Sequence, residues 1–370
     1  MNAQKLSLII ALAVLIVPTV VSETVEVEPF NPLTPRVAGM GSPTLAAPKG
    51  RETLWTNPAG FAVGKRSFTL FAIGASALGN PADVMDALSA DVGDAGEMLS
   101  ALEPVITKSG AGFNIQGGLA WVGKRIGVGL NLDADAYVYG RPFPLGTEGY
   151  VDSTVALSFG YAHPIKLTDS ITVSIGAAVH PSLKYRVELD GELIEMLVTE
   201  DDQADAILEE RLESPAWGFP IDVGVHSTLP LGFSASVVVS DLNGRYRGGA
   251  SDDEYLVPWS VGAGVAWHPN LGPLKWLIDP TITADVTNVN LIVNEETSVW
   301  KELHLGIEVA TLKQFITLWA GLNAGYPSFG AEIDLFVIDV GVAYTTTEKG
   351  RYLGDRPVTS VTVEVAIRLD

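Results

Sequence analysis

The sequence predicts an all-β chain: an antiparallel up-and-down transmembrane β-barrel of about fourteen strands, with a small N-terminal plug and two loop helices. Three observations predict it. From position 67 onward apolar and polar residues alternate with period two. Many of these runs reach about ten residues, which a tilted strand needs to cross a bilayer, whereas soluble strands average about five or six. The links between runs alternate, with one exception, between long and short. A membrane barrel with short turns on one rim and long loops on the other produces that asymmetry, and a soluble sandwich has no reason to.

The chain divides into three parts. Residues 1–22 read as a signal peptide. Lys5 supplies the positive region, Leu6 to Val17 the apolar run, and Val20-Val21-Ser22 a small-residue cleavage site. Residues 23–66 read as a hatch or plug. They begin as an acidic lead-in without period and continue as a Gly- and Pro-rich unit, compact and irregular. Residues 67–370 read as the barrel.

The candidate strands are 68–76, 112–121, 125–139, 150–162, 170–189, 217–227, 232–241, 258–268, 276–290, 300–311, 314–323, 328–335, 337–346 and 358–369. In the third, Ile126, Val128, Leu130, Leu132, Ala134, Ala136 and Val138 share one face, and Asn131, Asp133, Asp135 and Tyr137 share the other. In the last, Val361, Val363, Val365, Ile367 and Leu369 oppose Thr362, Glu364, Ala366 and Arg368. An even strand count brings both ends of the barrel to the short-turn rim, the side from which a plug would enter. Two long loops carry helical spacing, at 81–103 and at 199–213 with Thr199 as N-cap. Such helices either close the mouth or offer a docking place for an apolar ligand.

Composition excludes several functions. No run of 18 apolar residues lies beyond the N-terminus, which argues against a helical membrane protein. A net charge of −21 argues against nucleic acid as a partner. The chain has no cysteine, so disulfides and thiolate metal sites are excluded. Its 38 glycines fall often inside strand-like runs, as suits a wall facing a crowded lumen. Trp121, Trp267, Trp276, Trp300 and Trp319 lie near strand ends, where interfacial aromatic girdles form.

Ionisable groups collect on the inward faces, chief among them Asp133, Asp135, Asp285, Glu302, His304 and Glu308. A polar lumen accounts for them, and an acidic pathway favouring cations is the sharper reading. The five histidines show no metal-ligand spacing, and no nucleophile elbow or phosphate-binding loop is present. The reading is therefore not an enzyme, with no cofactor and no metal.

The block Arg36-Val37-Ala38-Gly39-Met40-Gly41, followed by Asn57-Pro58-Ala59-Gly60-Phe61, resembles the hatch of the FadL-type outer-membrane transporters. It is similar also to PorV-like and TraF-like barrels. The C-terminal runs Gly321 to Pro327 and Asp339 to Tyr344 look like spirochaetal members. The resemblance implies a fourteen-stranded outer-membrane barrel taking up hydrophobic small molecules, long-chain fatty acids being the best-known substrates. It makes Asn57, Pro58, Ala59, Gly60 and Phe61 the ligand gate, with outer-membrane lipid around the barrel. A PorV-like role, anchoring or shuttling an exported protein, is the alternative. The acidic pair that often precedes the Asn-Pro-Ala-Gly element is replaced here by Pro48-Lys49-Gly50-Arg51.

Overall fold

A computed structural model describes residues 24–369, apart from 31, 42–43, 83, 85–94, 200–202, 204–205, 208–213 and 250–253. The proposed signal peptide lies outside the described residues. Fourteen strands form one closed barrel. They are β1 (Ser67–Leu78), β2 (Ala111–Gly123), β3 (Ile126–Gly140), β4 (Thr147–Lys166), β5 (Thr172–Val179 and Ser182–Leu189), β6 (Ala216–Gly218 and Ile221–Thr228) and β7 (Phe233–Leu242 and Arg245–Arg247). They continue as β8 (Glu254–Leu256 and Ser260–Trp267), β9 (Ile278–Val286), β10 (Leu303–Thr311), β11 (Ile316–Asn323), β12 (Tyr326–Leu335), β13 (Ile338–Glu348) and β14 (Pro357–Leu369). Each pairs antiparallel with the next, and β14 closes on β1.

The wall is inside-out relative to a soluble protein. Each strand points at least one large apolar residue outward. They are Ile73, Ile115, Leu132, Leu157, Ile175, Val225, Val237, Val265, Ile282, Ile307, Leu318, Phe329, Val342 and Val363, from 37% to 54% exposed. The inward positions between them are polar and buried: Gln116, Asn131, Ser158, Asp285, Thr317, Thr362 and Glu364. Water would reverse this arrangement; a bilayer outside the ring requires it. Among the described residues no helix is long and apolar enough to cross a membrane.

Four adjacent strands are broken at one level. The breaks fall at His180-Pro181, Phe219-Pro220, Asn243-Gly244 and Val257-Pro258-Trp259. Three carry a proline, which cannot donate to the ladder, and the fourth turns through Asn243 at φ 60°. The expected single strands at 170–189 and 217–227 are thus each two segments, and the expected strand 258–268 is Ser260–Trp267 with a further short segment, Glu254–Leu256, before the break. The expected strand 276–290 stops at Val286; after it the chain forms helix Val289–Val293.

Of the two expected loop helices, the span 81–103 holds helix Ala95–Ala101, and a helix stands ahead of the span 199–213. Helices Ala95–Ala101 and Glu103–Ile106 follow β1, and Gly191–Val198 follows β5. The last is capped by Asp190, whose side chain accepts from Leu193 N, and Thr199 stands at its C-terminal end. Most of 199–213 lies outside the described residues. Val105, Ile106, Leu193 and Ile194 are buried against Ala111, Val138, Val187 and Leu189. Those four strand residues are on the outward face, since Asn114, Tyr137 and Arg186 point the other way. The helices therefore cover the outside of the wall, not the mouth. The reason is length: β3 and β4 run 15 and 20 residues, more than a bilayer needs, and their upper outward residues would otherwise face water.

Candidate functional site: a hatch between two chambers

The described residues from 32 to 61 pack inside the barrel. They are built from short pieces: helix Pro35–Gly39, helix Thr53–Thr56, and 3-10 turns Gly50–Glu52 and Pro58–Ala62. Thr34 caps the first, accepting from Val37 N, and Asn57 caps the last, accepting from Ala59 N at 3.0 Å. Prolines at the first turn of both, Pro35 and Pro58, fix φ where no donor is needed.

Asn57 to Phe61 sit directly on the wall. Asn57 is fully buried; its Nδ2 donates to Leu45 O at 2.8 Å and to Ser236 Oγ at 3.1 Å. Glycines receive this turn. A Cβ on Gly224 would lie 2.2 Å from Asn57 Oδ1, and one on Gly176 would lie 2.4 Å from Pro58 O. The Phe61 ring lies across the cross-strand pair Gly127 and Gly160, where a Cβ would meet it at 2.4 and 2.2 Å. These strand glycines are sockets for the hatch.

The other attachment is charged. Arg36, buried, donates from Nε to Glu308 at 2.7 Å, from Nη1 to Glu52 at 2.9 Å and Thr44 at 3.0 Å, and from Nη2 to Ala47 O at 3.1 Å. Burial works against its charge, but Glu308 and Glu52 outweigh that and raise its pKa above the ordinary guanidinium value. Arg51 donates to Glu364 at 2.7 Å, and Arg368 donates to the other oxygen of that carboxylate at 2.9 Å. Lys49 lies 3.6 Å from Glu308. The basic run Pro48 to Arg51 thus faces an acidic wall.

Contacts to the hatch backbone complete the fit. Leu45 N donates to Asp285 Oδ1 at 3.0 Å, and Gln116 Nε2 donates to Leu33 O at 2.7 Å. His304 Nδ1 lies 3.0 Å from Gly41 O, so that nitrogen carries the donating hydrogen, while Nε2 faces Thr287 Oγ1 at 3.0 Å.

The hatch divides the lumen. Toward the long loops lies a cavity of about 570 Å³. Asp133, Asp135, Glu302 and His304 line it, with Tyr150, Lys184, Arg186 and Lys349. Asp133 accepts from Asn114, Asp135 from Tyr150, and Glu302 from Thr287 and Asn288. Toward the short turns lies a second cavity of about 660 Å³, lined by Arg36, Lys49, Arg51, Glu52, Glu308 and Arg368 among others. Asp285 lines neither cavity and is spent on the hatch backbone. Asn57 to Phe61 line neither; Trp55 and Thr56 border the upper cavity and Val63 to Ser67 the lower.

Sequence reasoning missed one further group. Ser158 Oγ lies 2.9 Å from His180 Nδ1, and His180 Nε2 lies 3.2 Å from Asp222 Oδ2. The ring is turned opposite to a hydrolase triad, in which Nε2 faces the serine. None of the three lines either cavity, and together they tie β4, β5 and β6 across the break at Pro181. Among the described residues no His, Asp and Glu cluster has the makings of a metal site.

No family model matches the chain. No curated protein matches it. Solved structures do. The structure titled "TodX deltaS2S3 mutant monoaromatic hydrocarbon channel" matches over 91% of this chain and 98% of its own, at 12% identity and a TM-score of 0.50. The structure titled "CymD monoaromatic hydrocarbon channel" matches over 92% and 98%, at 13% identity and the same TM-score. At such identity the likeness is one of fold: a fourteen-stranded barrel of the kind these channels have.

Proposed function

We propose that the chain is a FadL-type channel of an outer membrane, exported by residues 1–22, which passes hydrophobic small molecules through a hatched lumen. It is not an enzyme in this reading. One observation carries the proposal: a polar, occluded interior lies within a ring of strands whose outer face is apolar all the way round. The matching fold of two hydrocarbon channels supports it. The short-turn rim is then periplasmic and the long-loop rim external. Long-chain fatty acids are the substrates that the resemblance of the hatch element suggests.

The two cavities are stages of one path, and the hatch between them has to shift for a ligand to pass. Asn57 to Phe61 act in the gate as its pivot, seated in the glycine sockets. The Arg36 side is the part that gives way, because its ion pairs border the lower, open chamber.

Uptake by proteoliposomes tests the reading. Wild-type protein should admit a hydrocarbon or fatty acid faster than lipid alone, and a chain lacking residues 34–66 should lose control of that flux. Equal permeability with and without the protein would overturn the proposal.

A further inference from the structure

The hatch is thin between Leu33 and Thr34. Leu33 lines the upper cavity, and Thr34, the next residue, lines the lower. Leu33 O accepts from Gln116 of β2, and Pro35 rests against Gly341 of β13, where a Cβ would meet its ring at 3.1 Å. The stretch therefore crosses β14 and β1, which stand between those two strands. The wall behind it is polar. Thr345 of β13 stands opposite Ser360 of β14, Thr362 of β14 opposite Ser76 of β1, and Ser76 opposite Asn114 of β2. Two residues lower on each strand, Gly74 stands between Glu364 and Gln116. Inward residues that are paired across strands, or two apart along one, are neighbours, so these side chains form one stripe. It begins at Thr345 and Asn114, which line the upper cavity, and ends at Glu364, which lines the lower.

The stripe is only partly paired. Ser76 and Thr362 share a hydrogen bond at 2.8 Å, Asn114 Nδ2 donates to Asp133, and Arg51 of the hatch donates to Glu364. Thr345 Oγ1, Ser360 Oγ, Asn114 Oδ1, Gln116 Oε1 and Arg51 Nη1 have no partner among the described residues, and neither has Thr69 Oγ1 further down β1. Each of these residues is only 1% to 8% exposed. They hold six of the twelve such buried side-chain atoms among the described residues, gathered on four neighbouring strands and the hatch turn against them. Buried polar atoms in folded proteins are paired, by protein or by water. A buried water takes about two to four polar partners, and this stripe offers it both donors and acceptors. The seat of Asn57 to Phe61 is the opposite case: both polar atoms of the Asn57 side chain are paired within the protein, and the ring lies on glycines.

We propose that a file of water crosses the closed hatch along this stripe, so that the barrel conducts water while it is shut to larger molecules. Water enters at Thr345 and Ser360, passes Asn114 and Gln116 beside the Leu33 carbonyl, and leaves past Arg51 and Glu364. Only hydrogen bonds are exchanged on the way, and the hatch stays seated. This rests on the membrane-spanning reading of the barrel and not on its hydrophobic cargo.

The test is osmotic shrinkage of proteoliposomes in a sucrose gradient, read by stopped-flow light scattering, beside uptake of toluene by the same vesicles. Wild-type vesicles should shrink faster than protein-free vesicles of the same lipid and should keep sucrose out. T345V and S360A each remove one hydroxyl without adding bulk, and heat-modifiable migration on gels checks that each barrel still folds. Either should slow the protein-borne shrinkage roughly fivefold, the weight of about one hydrogen bond, and the double variant should fall to the protein-free rate. Toluene uptake should not change in any of them. The inference is overturned if both single variants shrink as fast as wild type, since the water then crosses elsewhere. It is overturned also if water and toluene slow together, which would make hatch movement the common step. Toluene uptake without water flux rejects the file and leaves the channel reading standing. Neither flux rejects the channel reading and this inference with it.

Discussion

The hatch is held at two places of opposite character. At Asn57 to Phe61 the contact is shape and neutral hydrogen bonds, with Phe61 laid across two glycines and both polar atoms of the Asn57 side chain paired. At Arg36 and Arg51 it is ion pairs to Glu308, Glu52 and Glu364. The first kind of contact has no substitute once lost: the ring leaves a void and the amide leaves buried partners unpaired. The second borders a cavity of about 660 Å³ that can admit water, so separated charges there have somewhere to be solvated. A segment that must move and return is better pivoted on the first and released at the second.

The largest expected effect comes from filling a socket. In Gly160→Val the new Cβ falls 2.2 Å from the Phe61 ring, which rests also on the cross-strand neighbour Gly127. The ring has to lift off the wall, so the pivot unseats. The ladder of β4 is unaffected, and the barrel should still fold in detergent. Planar-bilayer recordings should show a persistent leak, with protease cleavage appearing in 54–61. A tight, silent barrel would mean that the hatch is not anchored there.

Arg36→Met should follow. It strands Glu308 and Glu52, and removing one partner of a buried pair costs about 3–5 kcal/mol. Hydrogen exchange should rise over 34–47 while 54–61 stays protected. Adding Glu308→Gln should recover part of the loss, since the two residues share one interaction. Exchange rising equally at 54–61 would mean the two attachments act as one. Asn57→Ala comes next, on the order of 1–3 kcal/mol, from the unpaired Leu45 carbonyl and Ala59 amide. Chemical denaturation in detergent would measure it.

Much of this was legible in the sequence, because a membrane wall enforces period two on every strand and glycine where the turn Asn57 to Phe61 lies on it. The inward parity of Asp285, His304 and Glu308 followed from the same rhythm. Their partners did not. Arg36 and Glu308 are 272 residues apart, and Arg51 and Glu364 are 313, and no local pattern joins them. The strand breaks did have a signal, in Pro181, Pro220 and Pro258, which period two alone overlooks. Val289, Leu291 and Val293 alternate like a strand yet lie in a helix, from which the Asn290 side chain serves Trp259 and Val261. Thr199 has the chemistry of an N-cap, but Asp190 opens a helix nine residues earlier and Thr199 falls at its end.

The smallest effect sharpens the contrast between burial and charge. Lys49 also points at Glu308, at 3.6 Å, but its side chain is 44% exposed. Glu308 is already satisfied by Arg36 and by Trp319 Nε1 at 3.0 Å. Solvent screens what Lys49 adds, so Lys49→Ala should cost under about 1 kcal/mol, shrinking further as salt rises. Exchange over 34–47 should match wild type. If Lys49→Ala loosened that segment as much as Arg36→Met does, the count of positive charges facing Glu308 would hold the hatch, and the buried geometry of Arg36 would not.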